Sequence, residues 1–162
     1  MDGGFQKWSA EGRSVDTGPG TPRPPTRFTA RAPRPLMADK AEVLAAIGNG
    51  AVCTINALRP EQHTGTGGVQ YGRPGRIAGS VNVAATALVD PATNAFLPAE
   101  TLRAKFAAVG AMDRKVITYC GGGIAASADA LVLTMLGHRD VKLYDASLSE
   151  WVKDAALPME VG

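Results

Sequence analysis

The residues best suited to chemistry in this sequence are Cys120 and the three glycines that follow it. Cys120 ends the β-rich run KVITYC, and a GGG sequence at positions 121–123 leads from it into a helical pattern. Consecutive glycines let backbone N–H groups converge on one point, and a helix that begins there adds the positive end of its dipole. Both effects stabilise an anionic sulfur. The pattern therefore predicts a nucleophilic thiolate, or a persulfide carried on it, at Cys120.

Other chemistries that use a cysteine or a glycine loop are disfavoured by the residues around Cys120. A cysteine phosphatase of the C-x5-R type needs a phosphate-binding arginine at the position of Ala126. A thioredoxin-like redox site needs a second cysteine close by, and positions 121–126 contain none. The run GGGIAAS has neither the lysine of a phosphate-binding loop nor the glycine spacing of a dinucleotide-binding loop. Cys53 lies inside a predicted strand and is interpreted as a small core residue.

Helices and strands alternate along the chain on both sides of Cys120, as judged from hydrophobic periodicity and turn residues. Helices are predicted over 39–48, 98–110, 126–137 and 147–154, strands over 51–57, 77–83, 115–120 and 141–145, and a glycine-rich loop over 63–75. Such alternation is typical of a parallel sheet covered by helices on both faces. The sequence therefore predicts an α/β fold in which Cys120 lies at the end of a strand.

The composition excludes several classes of protein. Hydrophobic residues make up 45% of the 162 residues and charged residues 20%, which is typical of one globular domain. A net charge of +2 is too small for a nucleic-acid-binding surface, and no apolar stretch approaches the ~20 residues of a membrane-spanning helix. The N-terminus has no secretory pattern, and two histidines and two distant cysteines argue against a zinc site. We expect a cytoplasmic enzyme or binding domain with no metal, cofactor, nucleic-acid partner or membrane partner.

The N-terminal part of the chain differs in character from the rest. Residues 15–38 are rich in proline and have no periodicity, which predicts an extended linker. Before it, the segment DGGFQKW matches the later segment DASLSEW, because an aspartate and a tryptophan stand six positions apart in each. This repeat predicts that residues 1–14 are the remnant of a preceding copy of the domain that spans 39–162.

Three segments of the chain resemble the rhodanese family, the thiosulfate and 3-mercaptopyruvate sulfurtransferases. The run YCGGGIAASADALVLTMLGHRDVKLYDASLSEW is similar to the catalytic half of that family, and GRPGRIAGSVNV is similar to its G-H-I-P-G-A-x-N segment. The opening DGGFQKW resembles the end of the N-terminal repeat of the family. The resemblance implies the catalytic C-terminal half of a tandem member, with a three-layer α/β/α fold around a central parallel sheet.

The resemblance also implies a reaction and a set of site residues. In the family, the cysteine takes a sulfane sulfur from thiosulfate or 3-mercaptopyruvate and passes it to cyanide or a thiol. Cys120 is then the sulfur carrier, and its partners are a small-molecule donor and acceptor. The residues expected to cradle the persulfide are Gly121, Gly122, Gly123, Ile124, Ala125 and Ala126.

The chain departs from the family around the donor-binding positions. The first strand of the family usually ends in Asp-Ala-Arg, where this chain has Asn-Ala-Leu at 56–58. Gln62 stands where a donor-binding arginine is expected, and the loop after Cys120 carries no charge. Gln62 and Arg59 are the candidate donor-binding residues outside the loop, and Arg73 or Arg76 could also supply positive charge.

These departures leave a second function open. A non-catalytic or weakly active sulfur-binding or regulatory module would also retain the fold and could lack the expected arginine. The presence of Cys120 with its glycine loop opposes that alternative. The preference between the two donors, the acceptor, and the choice between a monomer and a homodimer stay open at this point.

Overall fold

The computed structural model describes residues 2–29 and 35–162. The helices are α1 (Gly4–Ala10), α2 (Lys40–Ala46), α3 (Pro60–Thr64), α4 (Ala99–Ala108), α5 (Ile124–Met135) and α6 (Ser147–Trp151). The strands are β1 (Val52–Asn56), β2 (Arg76–Ile77), β3 (Val81–Asn82), β4 (Lys115–Tyr119), β5 (Val141–Leu143) and β6 (Met159–Glu160). Within this described part of the chain, no helix combines the length and the apolar character that a membrane crossing requires.

Four strands form a parallel sheet in the spatial order β3–β1–β4–β5. β1 pairs with β4 along its whole length, and the pairing of Asn56 with Tyr119 brings both strands to an end at the same level. On the outer side of β1, Asn82 of β3 lies beside Asn56. The carboxyl ends of neighbouring strands therefore meet at the edge of the sheet where Cys120 follows β4.

Side chains of β4 alternate between two hydrophobic cores, one on each face of the sheet. Val116 packs with Phe106 of α4 on one face, whereas Ile117 and Tyr119 pack with Trp151 of α6 on the other. Phe106 is fully buried, and burial of such a side chain contributes about 1.5–3 kcal/mol to the free energy of unfolding. Helices on both faces of a parallel sheet confirm the predicted three-layer α/β/α fold.

The prediction of one strand over 77–83 is wrong, because the chain forms two short strands there that belong to different sheets. β2 pairs antiparallel with β6, whereas β3 joins the main sheet beside β1. Between them, the N–H and the hydroxyl of Ser80 donate to the carbonyl oxygen of Ile77, at 3.1 and 2.7 Å, and close a turn. The predicted glycine-rich loop over 63–75 also begins inside a short helix, α3, that the sequence did not predict.

The last residues of the predicted linker 15–38 belong to the folded domain. The N–H of Ala38 donates to the carbonyl oxygen of Leu143 at 2.9 Å, and the N–H of Leu143 donates to that of Leu36 at 2.8 Å. Residues 36–38 therefore extend the main sheet beside β5. Within the same predicted linker, residues 30–34 lie outside the described residues.

The N-terminal helix α1 packs against the segment that precedes α4. Asp2 Oδ1 accepts a hydrogen bond from the N–H of Phe96 at 2.9 Å, and Asn94 Nδ2 donates to Gln6 Oε1 at 2.6 Å. Trp8 is half-buried, whereas its counterpart in the repeat, Trp151, is fully buried. The origin of residues 1–14 as the remnant of an earlier domain copy stays a prediction, and residue 1 lies outside the described residues.

Candidate functional site

Cys120 lies directly after β4 and is buried, with 3% of its surface exposed. It packs with Ala57 and Ala126, and Leu58 lies against the same cluster. The end of β1 is fixed beside it, because the N–H of Ala57 donates to the carbonyl oxygen of Tyr119 at 2.8 Å. The thiol is therefore held in a pocket of small side chains at the carboxyl edge of the sheet.

The first turn of α6 holds the backbone on both sides of Cys120. Ser147 Oγ accepts a hydrogen bond from the N–H of Cys120 at 3.0 Å and donates to the carbonyl oxygen of Tyr144 at 2.7 Å. Ser149 donates to the carbonyl oxygen of Gly121 twice, from its N–H at 2.9 Å and from Oγ at 2.6 Å. Two serines that the sequence analysis did not select thus fix the position of the loop. In the sequence, the only indication of these two serines is the run Ser-Leu-Ser at 147–149, which follows a predicted strand.

The three loop glycines are required to different degrees. A Cβ on Gly121 would lie 2.0 Å from Cζ of Tyr71, so the tyrosine ring excludes a side chain there. Gly122 is exposed, and a Cβ there would meet only Ser149 Oγ, at 3.6 Å. Gly123 has a left-handed backbone with φ of +84°, and a Cβ there would lie 2.2 Å from Oδ1 of Asp145. Only the third glycine is therefore needed for the backbone turn itself.

The backbone after Cys120 presents a row of unpaired donors. α5 begins at Ile124, two residues before its predicted start, and its first helical hydrogen bond runs from the N–H of Ser127 to the carbonyl oxygen of Gly123 at 2.9 Å. Within the described part of the chain, none of the N–H groups of residues 121–126 donates a hydrogen bond. Free N–H groups at a helix N-terminus bind anions. This row is what an anionic sulfur on Cys120 requires.

The residues of the predicted cradle differ in their exposure. Ile124 is 88% exposed at the outer end of the loop, and Ala125 is half-buried. Ala126 is buried, and its carbonyl oxygen accepts a hydrogen bond from Thr118 Oγ1 at 3.0 Å. The inner side of the loop is therefore anchored to β4, while its outer side faces solvent.

Gln62 lies in a small cleft beside the loop, but its amide is already engaged. Gln62 Oε1 accepts from the N–H of Arg59 at 3.4 Å, and Nε2 donates to Oε1 of Gln70. Tyr71 and Leu148 line the same cleft, and the N–H of Leu148 donates to the carbonyl oxygen of Cys120 at 3.1 Å. The position expected to hold an arginine therefore shares a cleft with two residues that contact Cys120 or Gly121, and it carries a neutral side chain.

Two of the three arginines considered as replacements are tied to the C-terminal segment. Arg73 Nη1 donates to the carbonyl oxygens of Asp154 and Leu157, at 3.2 and 2.9 Å. Arg76 donates to the carbonyl oxygen of Gly162 at 2.5 Å and pairs with Glu160 at 3.3 Å. Arg59 follows β1 and is exposed. Among these three arginines, Arg59 is the one whose guanidinium is not used to hold the C-terminal segment.

Two asparagines shape the turn beside Cys120. Asn82 Nδ2 donates to the carbonyl oxygens of Asn56 and Leu58, each at 2.8 Å, and Asn56 Oδ1 accepts from the N–H of Leu58 at 2.9 Å. Asn56 is buried, and its Nδ2 has no hydrogen-bond partner among the described residues. Asn56 stands where the resemblance leads one to expect an aspartate, and its side chain closes a turn at Leu58.

Two other titratable side chains have buried polar atoms without a hydrogen-bond partner in the described part of the chain. Asp129 of α5 is fully buried, both its carboxyl oxygens lack hydrogen-bond partners in the described chain, and burial raises its pKa well above the usual range. Burial also lowers the pKa of His63 to about 4, with a further contribution from Arg76. Burial therefore favours the neutral form of both side chains, and His63 is neutral near pH 7. No group of three or more His, Cys, Asp or Glu side chains in residues 2–29 and 35–162 could hold a metal ion.

Comparison with known proteins finds relatives along most of the chain. The family model described as Rhodanese-like domain matches residues 39–154. A Mycobacterium bovis protein provisionally named thiosulfate sulfurtransferase 1 is 33% identical over 172 positions, covering 100% of this chain and 61% of that protein. A Schizosaccharomyces pombe protein provisionally named 3-mercaptopyruvate sulfurtransferase is 31% identical over 159 positions, covering 93% and 53%.

A solved structure shares the fold. An anaerobic ergothioneine biosynthesis enzyme from Chlorobium limicola superposes with a TM-score of 0.86 at 22% identity, over 100% of this chain and 41% of that one. At that identity the likeness concerns the fold alone. The chain spans 61% and 53% of the lengths of these two curated relatives.

Proposed function

The chain belongs to the rhodanese-like family, and on that premise we propose that it is a sulfurtransferase that carries a sulfane sulfur on Cys120. The observation that supports the proposal is the position of this buried thiol at the start of a loop whose backbone N–H groups, from Gly121 to Ala126, are unpaired in the described chain. Thiosulfate or 3-mercaptopyruvate is the donor, and cyanide or a thiol is the acceptor.

The transfer takes place in two displacements. The Cys120 thiolate attacks the outer sulfur of thiosulfate, a new S–S bond forms, and the S–S bond of the donor breaks so that sulfite leaves with the electron pair. The persulfide anion is held by the N–H groups of the loop and by the N-terminus of α5. Cyanide or a thiolate then attacks the outer sulfur of the persulfide, takes that sulfur, and leaves the Cys120 thiolate ready for the next donor.

Small molecules are the partners that this proposal requires. The exposed outer side of the loop at Gly122 and Ile124 is where donor and acceptor approach the sulfur. Both cysteines are free thiols, which accords with a reducing compartment, and we place the protein in the cytoplasm.

A second candidate function is a sulfur-binding module with weak turnover. The observation that favours it is the lack of a cationic side chain at Gln62, combined with the use of Arg73 and Arg76 to hold the C-terminal segment. Such a module would form the persulfide once but would regenerate the thiolate slowly. Single-turnover loading and multiple-turnover rates therefore distinguish the two functions.

Intact mass spectrometry tests the proposal. Incubation with thiosulfate or 3-mercaptopyruvate is expected to add the mass of one sulfur atom, which cyanide or dithiothreitol then removes. The gain should be lost in Cys120→Ala and kept in Cys53→Ala. Cys53 is a matched control because it is also buried, and its burial raises the pKa of its thiol and opposes reaction. Sulfur loading that persists in Cys120→Ala would contradict the assignment.

A further inference from the structure

The ring of Tyr71 occupies the space beside the residue that follows the cysteine. A Cβ on Gly121 would lie 2.0 Å from Cζ and 2.1 Å from Oη of Tyr71, so the hydroxyl end of the ring lies where a side chain at position 121 would begin. Gly121 does not have the left-handed backbone of Gly123. The tyrosine, and not the backbone, therefore keeps position 121 free of a side chain.

The hydroxyl of Tyr71 makes no hydrogen bond in the described part of the chain, whereas the polar side chains around it do. Gln62 in the same cleft donates to Gln70, Arg73 donates to the C-terminal segment, and Ser149 donates to Gly121. Tyr71 is half-buried and lies against Gly121, the residue that follows Cys120. A sulfur donor bound over the loop therefore contacts its hydroxyl.

We propose that Tyr71 determines which sulfur donor the site uses, by donating a hydrogen bond to the carbonyl oxygen of a 2-oxo thiol such as 3-mercaptopyruvate. This inference rests on the proposed function of Cys120. A hydrogen bond from the phenol to an oxygen that becomes anionic during the reaction is stronger in the transition state than in the ground state, so it raises the rate. A hydrogen bond to the sulfonate of thiosulfate, which is anionic before the reaction, gives less of this gain.

The chemistry of the 2-oxo donor creates such an oxygen. The Cys120 thiolate attacks the thiol sulfur of 3-mercaptopyruvate, an S–S bond forms, and the C–S bond breaks. Its electron pair passes to the carbonyl group, which becomes the enolate of pyruvate and receives the hydrogen bond of Tyr71. The enolate carbon then takes one proton from solvent to give pyruvate, and the persulfide releases one proton, so atoms and charge balance. Thiosulfate loses sulfite instead and forms no enolate.

The test is the rate at which Cys120 gains sulfur in a single turnover, followed by intact mass with each donor in turn. In Tyr71→Phe the ring still covers Gly121, but the hydroxyl is lost. Loading from saturating 3-mercaptopyruvate is expected to slow by about 10- to 100-fold, the effect of one hydrogen bond to a charged group, whereas loading from thiosulfate should be unchanged. Val69→Ala, in the same loop with Val69 59% exposed, should load from both donors at the wild-type rate.

Every other outcome of this experiment overturns either the inference about Tyr71 or the proposed function. Equal slowing with both donors would show that Tyr71 only supports the loop, and no slowing with either would show that its hydroxyl is unused; each result overturns the inference while leaving the sulfurtransferase proposal in place. A wild-type protein that gains no sulfur from either donor would overturn the proposed function, and this inference with it.

Discussion

Alanine substitutions at the three loop glycines are expected to change stability by different amounts, because different contacts surround each one. Gly122 is exposed and has room for a methyl group, so Gly122→Ala should raise the free energy of unfolding by about 0.4–1 kcal/mol through restriction of the unfolded chain. Gly123 has a φ of +84°, so an alanine there must adopt a left-handed backbone conformation. Gly123→Ala should therefore lower the free energy of unfolding by about 1–3 kcal/mol.

The expected cost of Gly121→Ala depends on Tyr71. The new methyl group would lie 2.0 Å from Cζ of the ring, so the ring must move, and overpacking of this kind costs about 1–3 kcal/mol. Since the backbone at Gly121 is not left-handed, the cost should largely disappear when Tyr71 is replaced by alanine. The double-mutant cycle should therefore give a coupling energy of about 0.5–3 kcal/mol between the two positions.

Urea unfolding at neutral pH, followed by circular dichroism, measures these differences in one series of variants. Single-turnover sulfur loading of the same proteins tests whether Gly121→Ala, by displacing the ring, also slows reaction with 3-mercaptopyruvate. The reasoning is refuted if Gly121→Ala costs the same free energy with and without Tyr71. Equal effects at Gly122 and Gly123 would refute the distinction between space and backbone conformation.

Three further predictions concern the surroundings of the loop. Ser147→Ala should lower the free energy of unfolding by about 1–3 kcal/mol in urea unfolding, because it leaves the buried N–H of Cys120 without its acceptor at 3.0 Å. Burial keeps a proton on Asp129 that the unfolded chain loses, so stability should fall as pH rises from about 4 toward neutral. Asp129→Asn should remove this part of the pH dependence, as measured by urea unfolding near pH 5 and pH 8. Gln62→Arg should raise kcat/KM for thiosulfate by about one to two orders of magnitude in a thiocyanate assay, and more at low salt than at high salt.

Local sequence signals predicted most of the fold and the place of Cys120 at the end of β4. β4 and α5 flank Cys120 as expected, because a β-rich run, a glycine break and an apolar helix are each encoded by adjacent residues. The prediction of a single strand over 77–83 is wrong because strand pairing depends on partners that are distant in the sequence. β2 finds β6 some eighty residues later in the chain, and a turn at Ser80 separates it from β3.

The surroundings of the cysteine were much less predictable, since they are made by residues far from it in sequence. Tyr71 reaches Gly121 from the segment before β2, and Asn82 fixes the turn after β1. Ser147 lies 27 positions after Cys120 and holds its N–H. Nothing in the local pattern of these residues distinguishes them from ordinary turn residues, and only the assembled sheet brings them to one edge.

The hydrogen bonds of α6 have a consequence for how the site can be lost. The helix that holds the backbone at Cys120 and Gly121 also carries Trp151, which is fully buried in one of the two cores. Opening of the loop at this side breaks its hydrogen bonds to α6, and displacement of α6 exposes Trp151. We therefore expect the site and that core to unfold as one cooperative unit, with slow amide hydrogen exchange at Cys120.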